Sequence, residues 1–194
     1  MQSDKAKIRT EALAARLRIT DDERKAAERH MLIHVCEVLG KLSVPKIVAG
    51  YAPFRGEVNC LHILTALYQQ GYETGLPVVR RDCEEEDLEF RAYHPDQKLL
   101  EGYSGIMEPD QDQHIIKPYI VLVPLLAFNK NLHRIGYGAG HYDRTLQTLR
   151  HSGRKAFTIG LAFESQKYDN FKAEAHDQPL DRIVTEEKIY SLTG

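Results

Sequence analysis

Cysteine is scarce and scattered: Cys36, Cys60 and Cys83 lie far apart with no CxxC pair, which excludes a disulfide framework and a cysteine-type zinc site. They read as thiols of a reducing compartment. Neither sign of charge is in excess. With 26 Lys+Arg against 28 Asp+Glu the net charge is -2, so no basic surplus exists to release counterions from a phosphate backbone, and nucleic acid is not an expected partner. No window approaches the length of a membrane span, and MQSDKAKIRTEALAARLRIT is charged throughout, without an apolar core of signal-peptide length. A cytoplasmic protein that engages no membrane is the expectation. Familiar catalytic signatures are missing too: GxxxxGK[ST] is absent, GxGxxG fails at His141, and no GxSxG or Ser/His/Asp pattern supplies an acyl-enzyme nucleophile. His30 and His34 share a helix face, but Met31 stands where HExxH has Glu, so they read as surface residues.

The sequence has the makings of one cored domain, residues 1–194, with 42% apolar residues. Ile8, Ala12 and Ala15 give Asp4 to Leu17 one apolar helix face, and Lys5, Lys7, Arg9, Arg16 and Arg18 make it a basic, solvated amphipathic helix. Thr20 with Glu23 forms a capping-box pattern before Ala27, Met31, Val35 and Leu39, a second helix that Gly40 ends. Lys46 to Tyr51 reads as a buried strand, Leu61, Leu64 and Tyr68 as a helix, and Glu73 to Val79 as a second strand in parallel crossover. Arg80 to Asp87 is an acidic solvated turn, and Leu88 to Tyr93 alternates like a half-exposed strand. Strands at Tyr119–Pro124, Ala156–Phe163 and Arg182–Thr185, with a helix at His141–Arg150, complete an α/β pattern. The fold class is a single-domain, three-layer αβα with a mostly parallel sheet.

The densest stretch is Arg134-Ile135-Gly136-Tyr137-Gly138-Ala139-Gly140-His141-Tyr142-Asp143-Arg144, with glycines at alternate positions between a strand and a helix, where open α/β sheets bind ligands. Glycines there let backbone amides turn toward an anion, and the helix start adds a partial positive charge. Arg134 suits a bidentate phosphate contact, His133 and His141 flank the loop, and Asp143 suits a divalent cation. The same residues equally suit a tight glycine turn with Asp143 favouring the helix dipole. His176-Asp177-Gln178-Pro179-Leu180-Asp181 has the residues of a turn before a strand.

Taken in order, these pieces resemble the 5-formyltetrahydrofolate cyclo-ligases, also called 5,10-methenyltetrahydrofolate synthetases. The resemblance rests on Lys5-x-x-x-Arg9, Arg55-Gly56-Glu57-Val58, Gly105 to Pro109, Val123-Pro124 with Ala127-Phe128, the Arg134 to Arg144 signature, and His176-Asp177 with Asp181 and Thr185. Ala139 and His141 depart from the family's usual Gly or Lys and Tyr. The resemblance implies closure of 5-formyltetrahydrofolate by ATP and Mg²⁺, through phosphoryl activation of the formyl oxygen. It implies Arg134, Tyr142 and Asp143 as catalytic residues, Lys5, Arg9 and the run Arg134 to Tyr142 as the ATP site, and Asp143 with Asp177 as Mg²⁺ ligands. Ala52, Glu57 and the loop Tyr137, Gly138, Ala139, Gly140, His141 then hold the folate. Glu57 accepts from the pterin N–H groups, and Tyr142 stacks on a ring. The expected assembly is a monomer or weak dimer. Two other readings stay open: an ATP- or folate-binding regulatory module without turnover, and an α/β acyl- or CoA-type transferase with Glu108 as nucleophile.

Overall fold

The structure is a computed structural model that describes residues 4–80, 88–151, 156–174 and 177–192. The acidic segment from Asp82 to Asp87, Cys83 and His176 lie outside the described residues.

Two helices open the chain, α1 (Asp4–Leu17) and α2 (Asp21–Leu39). The boundary between them is local chemistry: the Glu23 amide donates to Thr20 Oγ1 at 3.3 Å and the Thr20 amide donates to Glu23 Oε2 at 2.9 Å, a reciprocal capping box. Next come β1 (Ile47–Ala49), α3 (Cys60–Gln69), β2 (Glu73–Val79) and β3 (Leu88–Ala92). A short hairpin, β4 (Leu100–Glu101) with β5 (Met107–Glu108), precedes β6 (Ile120–Pro124). A second one, β7 (Ala127–Phe128) with β8 (Arg134–Ile135), leads into α4 (His141–His151). The chain closes with β9 (Phe157–Leu161), β10 (Arg182–Val184) and β11 (Ile189–Tyr190).

Seven strands form one sheet in the order β11-β10-β9-β6-β1-β2-β3, parallel from β10 to β2 and antiparallel at both edges. Its central strands are apolar on both faces, as strands covered from two sides must be. Val48, Ile120, Leu122, Ile159 and Leu161 pack beneath α2 and α3, whereas Ala49, Val121, Val123 and Ile183 share the opposite core with Leu146 of α4. The α/β three-layer reading therefore holds. One helix face differs from its reading: Cys60, Ile63, Leu64 and Leu67 are the buried face of α3, and Tyr68 is 46% exposed.

The topology fixes where a ligand can sit. β1 continues through α3 to β2 on one side, and the chain after β6 continues through α4 to β9 on the other, with the two helices on opposite faces. The connections diverge between β1 and β6, which opens a crevice beyond the carboxyl ends of those adjacent strands. α1 lies beside it, because Ala12 packs with Leu126, Ala127, Ile135 and Phe171 in a separate apolar cluster.

Candidate active site

The crevice is a cleft of about 620 Å³. Tyr51, Ala52 and Glu57 reach it from the loop after β1, Pro77 and Val79 from β2, Pro124 and Leu125 from the end of β6, and Ile106 and Glu108 from the β4–β5 hairpin. Lys5 and Arg9 enter from α1, Asp177 from the turn before β10, and the whole run from Arg134 to Asp143 forms one wall. Every residue that the sequence marks for ATP, folate or metal thus lines the same cleft. His133 is not among the lining residues.

The glycine loop carries two left-handed glycines and a run of unpaired backbone amides among the described residues. Gly138 (φ +105°) and Gly140 (φ +74°) occupy the left-handed region, where a side chain is strained, and a Cβ on Gly138 would stand 3.6 Å from Arg9 Cζ. Ala139 is not among the positive-φ residues, so its methyl carries no left-handed strain. Among the described residues, the amides of Tyr137, Gly138, Ala139 and Gly140 donate no backbone hydrogen bond. Arg9 Nε donates to the Gly136 carbonyl at 2.9 Å, tying α1 to the loop.

The cations and carboxylates of the cleft are paired with one another. Arg134, buried with its side chain 5% exposed, donates through Nη2 to Asp143 Oδ1 at 3.0 Å and through Nη1 to the Gln178 carbonyl at 2.9 Å. The Gln178 amide donates to the same Asp143 oxygen at 3.1 Å. Lys5 Nζ bridges Asp177 Oδ2 at 2.8 Å and Glu174 Oε1 at 3.1 Å. Burial works against the Lys5 ammonium, but the hydrogen bonds and charges of Asp177 and Glu174 outweigh it and hold the pKa above its ordinary value.

On the far wall Glu57 is 6% exposed, and burial raises its carboxyl to about 7 against the opposing charge of Arg16 and the Phe54 amide, which donates to Oε2 at 3.0 Å. The Tyr51 and Tyr142 hydroxyls are buried at the cleft without a hydrogen-bond partner among the described residues. Burial pushes both phenols well above their usual range, so they stay protonated as donors.

The family model of the 5-formyltetrahydrofolate cyclo-ligases matches residues 1–186. The chain belongs to that family. It is 31% identical over 181 residues to the 5-formyltetrahydrofolate cyclo-ligase of Haemophilus influenzae, covering 91% of this chain and 95% of that relative. It is 32% identical over 147 residues to the enzyme of the same name from Escherichia coli K12, covering 74% and 79%. Among solved structures it resembles a 5,10-methenyltetrahydrofolate synthetase from Mycoplasma pneumoniae (TM-score 0.74, 26% identity, 94% of this chain and 99% of that one). It likewise resembles the synthetase of Aquifex aeolicus (TM-score 0.73, 28% identity, 98% and 93%).

α1 is a solvated basic face only in part: Lys7 and, just beyond the helix, Arg18 are exposed, whereas Lys5 and Arg9 turn into the cleft, as the resemblance implies, and Arg16 is fully buried. The available signal was helical spacing, because Lys5, Arg9, Ala12 and Arg16 recur at three and four residues, on the stripe that docks. Other carboxylates and imidazoles resolve as structural. Asp181 Oδ2 accepts from the amide and hydroxyl of the fully buried Thr158, at 2.9 and 2.8 Å. His34 Nδ1 lies 2.9 Å from the Thr185 carbonyl, and His30 is exposed. Among the described residues no group of three or more His, Cys, Asp or Glu converges on a metal position.

Proposed function

We propose that this chain, folded as one domain over residues 1–194, closes 5-formyltetrahydrofolate to 5,10-methenyltetrahydrofolate at the expense of ATP, in the cytoplasm and as a monomer or weak dimer. The observation that carries the reading is the convergence of one free-amide glycine loop, two α1 cations and a buried carboxylate on a single cleft. Family membership supplies the reaction. Free loop amides, Lys5, Arg9 and Arg134 receive the phosphates; Glu57, Ala52 and the Tyr137 to His141 loop receive the folate; Tyr142 offers a ring and a donor beside the reacting atoms.

The donor set fits Mg²⁺, which takes one or two carboxylates and completes its shell with phosphate oxygens and water. Asp143 and Asp177 both line the cleft, and Asp143 Oδ2 has no partner among the described residues. The ion would neutralise charge on the transferring phosphoryl. Lys5 and Arg134, now held by Asp177 and Asp143, are then placed to exchange a carboxylate for a phosphate oxygen.

The chemistry asks for no protein nucleophile. The formyl oxygen bonds the γ-phosphorus as the β–γ bridge breaks to release ADP. N10 then forms the new C–N bond, loses its proton, and the C–O bond breaks to give inorganic phosphate. The γ-phosphoryl and the formyl oxygen must meet at the glycine loop, the wall shared by both substrates. The test is isotopic: substrate labelled with oxygen-18 in the formyl group delivers that oxygen to inorganic phosphate. Label lost to water, with unlabelled phosphate, rules out the phosphoryl route.

A further inference from the structure

Arg16 does not line the cleft, yet its guanidinium is 0% exposed and ties together the pieces that build one side of it. Nε donates to the Arg55 carbonyl at 3.2 Å, Nη1 to the Leu125 carbonyl at 3.0 Å, and Nη2 to the Tyr137 hydroxyl. Those acceptors belong to the loop after β1, the end of β6 and the glycine loop. Arg55 and Gly56 hold the first loop in its turn with φ of +45° and +75°, and the Phe54 ring meets the Tyr137 ring edge-on at 6.0 Å.

A fully buried guanidinium is a costly strut if all it does is join loops, since its charge has been taken out of water. Its position beside Glu57 gives the charge a second use. No Glu57 oxygen lies within ion-pair distance of Arg16 among the described residues, because the named Arg16 donors go to carbonyls and a phenol. The cation therefore favours an ionised Glu57 from a distance and leaves Oε1 to a ligand, whereas a direct salt bridge would occupy it.

We infer that Arg16 is the positioning residue of the folate side of the cleft, holding the Tyr137 side chain in place and keeping the Glu57 carboxylate available, while the loop backbone that receives the phosphates is tied to α1 separately, by Arg9 on the Gly136 carbonyl. The inference rests on the cyclo-ligase reading. The groups facing Glu57 are Arg16 from α1, Tyr137 from the glycine loop, Tyr142 from α4, Cys60 from α3 and Tyr51 from its own loop, with Arg55 exposed further out. Arg16 is the buried cation of the set.

Equilibrium titration of wild type, R16M and R16K with 5-formyltetrahydrofolate and, separately, with ATP, repeated across the neutral pH range, tests this without requiring turnover. R16M is expected to bind the folate about tenfold or more weakly and ATP within about threefold of wild type, as loss of charge-assisted hydrogen bonds on one wall implies. Its folate affinity also falls off at a higher pH than in wild type. R16K keeps the charge but not the fork of donors, so it weakens folate more than ATP while its pH limb stays at the wild-type position. Equal weakening of both ligands in R16K, or wild-type affinities throughout, overturns the inference even if R16M fails to fold. An unmoved limb in folded R16M overturns it too. Wild type that binds ATP but no 5-formyltetrahydrofolate overturns the cyclo-ligase reading itself, which separates the two failures.

Discussion

Glu57 is where stability and binding pull in opposite directions, and Glu57→Gln measures the difference. Its carboxyl is 6% exposed and lifted from 4.5 to about 7, first by burial, with Arg16 and the Phe54 amide opposing. A carboxyl whose folded pKa lies above its unfolded one binds its proton more tightly in the folded state. Folding stability therefore falls as pH climbs from 4.5 to about 7, and the loss persists above that. At about 1.4 kcal/mol per pH unit the whole interval amounts to about 3 kcal/mol. The substituted amide keeps an oxygen for the Phe54 N–H and carries no charge to desolvate. E57Q is thus expected to match wild type below pH 4.5 and to exceed its stability by about 3 kcal/mol on the alkaline side, roughly 6–12 °C in Tm for a chain of this size. Under the proposed function the same change also removes the anion offered to the pterin donors, so folate affinity is expected to fall. Thermal melts at a series of pH values, paired with a folate titration, check both halves. A Tm difference that does not vary with pH, or an E57Q protein less stable than wild type in alkali, refutes the reasoning.

Gly138→Ala forces a side chain into φ +105° and places its methyl 3.6 Å from Arg9 Cζ, so it should cost about 1–2 kcal/mol in a denaturant titration and weaken ATP more than folate. Arg134→Ala and Asp143→Ala share one ion pair at 3.0 Å; the double variant should fall short of the sum of the singles by about 1–3 kcal/mol in transition-state free energy, read from kcat/KM. Asp181→Ala strips the buried Thr158 amide and hydroxyl of their acceptor, so Tm should drop by an amount equivalent to about 1–3 kcal/mol while turnover per folded molecule is kept.

What the sequence reveals here is what short-range chemistry writes. The Thr20–Glu23 capping box, the strand Glu73–Val79 and the glycine loop ahead of α4 are legible because each rests on neighbours within a few residues. The central strands are legible because burial on both faces leaves unbroken apolar runs. The hairpins β4–β5 and β7–β8 escape notice because two-residue strands carry no period. Arg16 escapes in part for another reason: helical spacing puts it on the docking stripe with Ala12, but its acceptors lie 39, 109 and 121 residues away, so its partners cannot be read from its neighbours. The positions of Arg134 and Asp143 are legible, but the contacts both make with Gln178 are not, because Gln178 lies 44 and 35 residues away.

The central claim is met most directly by mixing the purified protein with ATP, Mg²⁺ and 5-formyltetrahydrofolate and following the near-ultraviolet absorbance of the methenyl product, with Asp143→Ala beside it. The account predicts absorbance that grows only when nucleotide, metal and folate are all present, and that slows sharply in the Asp143 variant at limiting Mg²⁺. Product without ATP, or no product from a protein that binds both substrates, contradicts it.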